Sequence, residues 1–153
     1  MPTYTLSYSN IKLNSEKKSN IAKAITKTHK QVTAANTYFA QVIFNNIEKN
    51  SHFMGGVQTT KPQIFLHGQI RSGRSISIKE KLITNLRNTL IKVSKLDKSQ
   101  IWIYIVDLIP NQMIEYGEIL PESGKEKFWF SKLSRKLKKQ LKSLEKKLIT
   151  DKV

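Results

Sequence analysis

The feature that most constrains this chain is an internal repeat. A strand-like stretch, an amphipathic stretch of about twenty residues and a second strand-like stretch occur twice, and Pro62 opens the second unit where Pro2 opens the first. In the first unit Tyr4, Leu6 and Tyr8 alternate with Thr3, Thr5 and Ser7, which predicts a half-buried strand over 3–8. Proline is tolerated as a strand's first residue, so Pro2 does not break it. Asn14 and Ser15 are N-cap types and Glu16 suits a first helical turn; Ile21, Ile25 and Val32 then recur at helical spacing, predicting a helix over 15–34. Residues 39–46 predict a second strand. The second unit opens with a strand over 62–70 and the turn Arg71-Ser72-Gly73-Arg74-Ser75. A helix with a Ser77/Glu80 capping box then runs through Ile78, Leu82, Leu86, Leu90 and Val93 to about Leu96. Its last strand covers 100–106, with Ile101, Ile103 and Ile105 on one face and Trp102, Tyr104 and Val106 on the other. Between the units, Gly55-Gly56 lacks the lysine and spacing of a phosphate-binding loop and predicts a tight turn.

A strand–helix–strand unit pairs its strands in parallel through a right-handed crossover. Units over about 2–46 and 62–107 therefore predict an α/β (α+β) fold of tandem β-α-β units. The four-stranded sheet would carry both long helices on one face. The other face, partly apolar and bare, predicts oligomerisation. Pro110 and Gly117 bound a predicted short helix over 110–117. After the cluster Phe128-Trp129-Phe130, Leu133, Leu137, Leu141, Leu144 and Leu148 recur every three or four residues among lysines. The chain thus divides into a domain over 1–130 and a basic amphipathic helix over 131–153.

Charge adds a partner class. Residues 125–153 hold 11 Lys/Arg against 3 Asp/Glu, half of the net +16. Such a tail suits either a solubilising face or a weak contact of residues 131–153 with an anionic surface, nucleic acid or membrane. Cysteine is absent, which excludes disulfides and thiolate chemistry. No run has the length of a membrane span and no basic-then-apolar leader opens the chain, so the expected compartment is the cytoplasm. His29, His52 and His67 lack close metal-ligand spacing; neither metal nor cofactor is expected.

Several residues converge on chemistry. A small second residue favours removal of Met1, which would leave Pro2 a free secondary amine with a pKa near about 8, usable as acid or base. Arg71 and Arg74, three apart in a strand-to-helix turn, suit a carboxylate, which arginine grips with two hydrogen bonds. Tyr104 and Glu115 together can hold and deprotonate a water. Taken singly, these read as a strand start, surface arginines, a sheet tyrosine and a solvated glutamate, and His29 as a core histidine at the edge of an apolar stripe.

The stretches Met1-Pro2, Thr28-His29, Tyr38-Phe39-Ala40-Gln41-Val42, Gly55-Gly56-Val57-Gln58, His67-Gly68 through Arg71-Ser72-Gly73-Arg74-Ser75, Ile101-Trp102-Ile103-Tyr104 and Gln112-Met113-Ile114-Glu115-Tyr116-Gly117 resemble the tautomerase superfamily. Within it they are similar to the cis-3-chloroacrylic acid dehalogenase subgroup, over roughly residues 2–130. The resemblance implies a catalytic N-terminal proline, a homotrimer and no cofactor. It implies that His29, Arg71 and Arg74 bind the carboxylate, that Glu115 with Tyr104 activates water, and that protonated Pro2 gives a proton to the α-carbon. The implied reaction is addition of water to a small α,β-unsaturated carboxylate, with dehalogenation of cis-3-haloacrylates or hydration of acetylenic acids. Keto–enol tautomerisation with Pro2 as base is the alternative, and a non-enzymatic anion-surface binder acting through the tail is a second.

Overall fold

The computed structural model describes residues 2–150. The first unit comprises β1 (Thr3–Ser9), α1 (Ser15–Thr33) and β2 (Gln41–Asn46), with a single 3-10 turn at Thr37–Phe39 before β2. A hairpin follows, β3 (Phe53–Met54) and β4 (Val57–Gln58). The second unit is β5 (Gln63–Arg71), α2 (Ile76–Ser94) and β6 (Ile101–Leu108), and it too is followed by a hairpin, β7 (Ile114–Glu115) and β8 (Glu118–Ile119). Two helices close the chain, α3 (Glu126–Lys132) and α4 (Arg135–Thr150).

Local chemistry sets these boundaries. The Asn14 side chain accepts from Lys17 N at 2.8 Å and starts α1, and Ser75 Oγ accepts from Ile78 N at 3.3 Å and starts α2. Ser75, not Ser77, is therefore the cap. Ala34 and Lys95 end the two helices in the left-handed region at φ 57° and 62°, their N–H groups donating to the carbonyls of Lys30 and Ile91. The helix expected over 110–117 does not form. Pro110 opens only one 3-10 turn, and Tyr116 and Gly117 take φ of 55° and 85°, the pair of positive values that closes a two-residue hairpin rather than a helix. The second strand starts at Gln41, because Thr37–Phe39 curl into the turn before it.

The sheet order is β2-β1-β5-β6; β1 pairs β2 and β5 pairs β6 in parallel, and the central β1–β5 pair is antiparallel. The repeat is thus a pseudo-twofold. Leu6 lies opposite Leu66 in the central pair, and Thr28 hydrogen-bonds its counterpart Thr89 at 2.8 Å where the two long helices meet. Tyr4, Leu6, Ile64 and Leu66 pack on Ile21, Ile25, Leu82, Leu86 and Leu90 as one buried core. Each such side chain contributes ~1.5–3 kcal/mol through removal from water. The opposite face carries exposed Ile43, Trp102, Tyr104 and Val106 and is covered by no helix among the described residues, as the alternation predicted.

A second cluster joins α3 and α4 to the body. Trp129, Leu133 and Leu141 pack with Tyr38, Phe39 and Leu120, the Phe39 and Trp129 ring centroids lying 5.4 Å apart. Lys30 Nζ meets Glu145 Oε1 at 3.2 Å. The apolar stripe of α4 thus faces its own chain, while Lys136, Lys139 and Lys142 face outward. No helix among the described residues is long and apolar enough to cross a membrane.

Candidate active site

The topology gathers chain ends at one edge of the sheet. β5 and β6 run antiparallel to β1 and β2, so their last residues meet the first residues of β1 and β2. Thr3 lies opposite both Gln41 and Gln69, and Arg71 opposite Leu108. Pro2 is at this edge, its side chain buried and its carbonyl accepting from Gln41 N at 3.0 Å.

The last third of α1 lies over the start of β1 and brings His29 to Tyr4. Tyr4 Oη and His29 Nδ1 are 2.7 Å apart. Burial holds the imidazole neutral, and with nearby Arg74 lowers its pKa to about 3; burial likewise raises Tyr4 and keeps the phenol protonated. A neutral imidazole has one N–H. Were it on Nδ1, the Tyr4 proton would have no acceptor among the described residues, so Tyr4 donates to Nδ1 and the imidazole proton sits on Nε2. Nε2 is buried and has no hydrogen-bond partner among the described residues, in a side chain only 2% exposed. A buried donor left unmatched costs ~1–3 kcal/mol, which makes it a candidate to meet a ligand acceptor.

The two arginines are not equivalent. Arg71, at 5% exposure, donates from Nη1 to the Pro121 carbonyl at 2.9 Å and pairs through Nη2 with Glu126. Partial burial would raise the Glu126 carboxyl, but the Arg71 hydrogen bond, backbone hydrogen bonds at Glu126 and Gly124 and the Arg71 charge together outweigh it and hold the group below the usual carboxylate range. Arg74 is half-buried. It donates from Nη1 to the Arg71 carbonyl at 2.7 Å and has no carboxylate within ion-pair distance among the described residues. Burial and the neighbouring Arg71 lower its pKa, and its charge reaches Tyr4 and His29. Arg74 is therefore a candidate cation for an incoming anion.

Glu115 lies on the β7 hairpin strand, not on a helix. It lines a cavity of about 750 Å³ with Thr3 and Gln41, the residues flanking Pro2, and with Thr26 of α1. Tyr116 is held over this cavity by its hydroxyl, which donates to the Tyr38 carbonyl. Tyr104 is not brought to this edge. Because Ile103 and Ile105 face the helices, strand alternation turns Tyr104 to the bare face, 54% exposed and edge-on to Phe65 at 5.0 Å. Sequence reasoning missed Glu126. It lies 55 positions from Arg71 on a segment whose only signal was the Phe128-Trp129-Phe130 cluster, whose Trp129 anchors α3.

Residues 1–133 match the family model Tautomerase_3, described as "Putative oxalocrotonate tautomerase enzyme". Among solved structures the chain is similar to N1, a member of the cis-3-chloroacrylic acid dehalogenase (cis-CaaD) family. Identity is 30%, the TM-score 0.88, and the match covers 92% of this chain and 99% of that one. Pt0534 inactivated by 2-oxo-3-pentynoate (19% identity, TM-score 0.70) and the Q0 fused 4-OT symmetric trimer (14%, 0.70) share the fold, each match covering 77% of this chain and 94% of the other. No curated protein matches the chain.

Proposed function

The chain belongs to the tautomerase superfamily, in the family matched over residues 1–133, and from that membership we propose that it is an N-terminal-proline enzyme adding water to an α,β-unsaturated carboxylate. With Met1 removed, the Pro2 amine would lie at the sheet edge where His29 meets Tyr4 and whose adjoining cavity Glu115 lines. The observation that carries the reading is the buried His29 Nε2, without a hydrogen-bond partner among the described residues and within the field of Arg74. A neutral donor beside a cation fits a carboxylate, one oxygen to each, and holds the negative charge that builds there as water attacks the β-carbon.

Glu115 takes a proton from the attacking water, the hydroxyl joins the β-carbon, and protonated Pro2 gives its proton to the α-carbon. With a cis-3-haloacrylate the product is a halohydrin, which loses hydrogen halide to leave malonate semialdehyde; an acetylenic acid gives the enol of a 3-oxo acid. Tyr104 cannot reach this edge through its own sheet. If it assists Glu115 it does so as Tyr104 of the partner subunit, in a homotrimer that covers the bare sheet face. The trimeric fused 4-OT relative supports that assembly.

Turnover of cis-3-chloroacrylate and of an acetylenic acid tests the reading. Arg74→Ala is expected to lower kcat/KM by about a hundredfold or more, through loss of a charge-assisted anchor worth ~3 kcal/mol. Glu115→Gln should lower kcat with little change in KM. Wild-type rates in both would remove these residues from the chemistry. Keto–enol tautomerisation with Pro2 as base is the second reading, favoured by the description of the matched family and by Arg74, whose charge disfavours a protonated amine nearby.

A further inference from the structure

We propose that α4 forms an apolar wall of the substrate cavity, and that the acid taken there carries an apolar tail of about four to eight carbons beyond its reacting double or triple bond. The inference rests on the reading above for the carboxylate end. The cavity lining combines two chemistries: Thr3, Gln41 and Glu115 are polar, whereas Phe39, Leu144 and Leu148 are apolar. Both leucines come from α4, which begins at Arg135, past the end of the family match at residue 133.

Three observations join α4 to the site. Its Leu141 is fully buried against the cluster of Tyr38, Phe39 and Trp129, so the helix has a fixed seat. Lys30 on α1 pairs with Glu145, one residue after Leu144. Leu144 nevertheless remains 44% exposed while lining the cavity, an apolar side chain on an anchored element with its surface turned to open space. The volume of about 750 Å³ falls in the range that encloses drug-sized ligands, about 300–1,000 Å³, and far exceeds the needs of a three-carbon acid. Because Glu115 and the α4 leucines line the same cavity, a tail on the β-carbon that the Glu115-activated water attacks can lie against the apolar lining.

The test uses the full chain and two series of linear acids from three to about fourteen carbons: saturated carboxylates for binding by calorimetry, and 2-alkynoates for turnover. Affinity is expected to rise by about threefold per methylene while the tail still finds the apolar lining, then to level off. Leu144→Trp, which fills the space, should move the plateau to shorter acids; Leu144→Ala should move it to longer ones. Lys142→Glu, on the outward face of α4, should leave the chain-length profile in place, which separates the cavity from adsorption of anionic amphiphiles on a basic helix. A flat profile in the wild type, or plateaus that ignore both Leu144 variants, would overturn the proposal. Absence of turnover with every 2-alkynoate would sink the hydration reading instead, and the binding series would still decide the role of α4.

Discussion

At the scale of single residues, the site is built from groups whose comfort has been given up. His29 is neutral in the fold at pH values where an exposed histidine is charged. Its pKa falls from 6.5 unfolded to about 3 folded, so the unfolded chain binds the extra proton first. The stability this group contributes is complete above about pH 6.5 and is lost progressively as pH falls toward 3. His29→Gln is therefore expected to flatten the decline of Tm between pH 6.5 and 4, and an unchanged profile would mean the imidazole is not buried neutral. Arg71 presents the opposite case, a buried charge held by one carboxylate. Glu126→Gln leaves it uncompensated and should cost ~1–2 kcal/mol in urea unfolding, less than a fully buried pair because Glu126 is partly wet. A fall in stability without loss of small-anion binding is the expected outcome, since the proposed reading gives the anion to Arg74.

At the scale of elements, the sheet's closest approach lies at Gly68 on β5. A Cβ there would lie 2.6 Å from Tyr4 Cε1 and 2.7 Å from Ile105 Cδ1. Ile105 can yield at its far end, but the Tyr4 ring is fully buried and tied to His29. Gly68→Ala is expected to cost ~1–3 kcal/mol and to shift the imidazole resonances of His29; a silent substitution would show slack in this packing. The major elements were legible because their signals are local. Alternation over residues 3–8, the Asn14 cap and the Ile21/Ile25 spacing each act within one turn or one strand. The β7–β8 hairpin was misread because Pro110 and Gly117 have the same composition as helix bounds, and only the paired positive φ of Tyr116 and Gly117 separates the two. The Arg71–Glu126 pair and the seat of α4 under the Tyr38 turn join distant segments, and no local spacing encodes either.

At the scale of the whole molecule, the two pseudo-twofold-related edges of the sheet differ in the groups that the proposed chemistry needs. Pro62, the counterpart of Pro2, has its nitrogen in a peptide bond and cannot titrate, and Leu90, next after Thr89, stands where His29 follows Thr28. The bare face is the natural seat for neighbouring copies. Sedimentation should show a trimer at micromolar concentration, and Trp102→Glu, placing a charge on that face, should dissociate it and abolish turnover if Tyr104 acts across subunits. A monomeric wild type would contradict the assembly. The central claim concerns Pro2. In the proposed reading the Arg74 charge opposes protonation of the amine, while the Glu115 carboxylate favours it. Mass spectrometry should first show loss of Met1. Nitrogen NMR of labelled Pro2 is then expected to place its pKa above the roughly 8 of a simple terminal amine, an acid ready to protonate the α-carbon at neutral pH. A value clearly below neutrality, with enol turnover and no hydration of haloacrylate or acetylenic acid, would contradict the account and make Pro2 a tautomerase base.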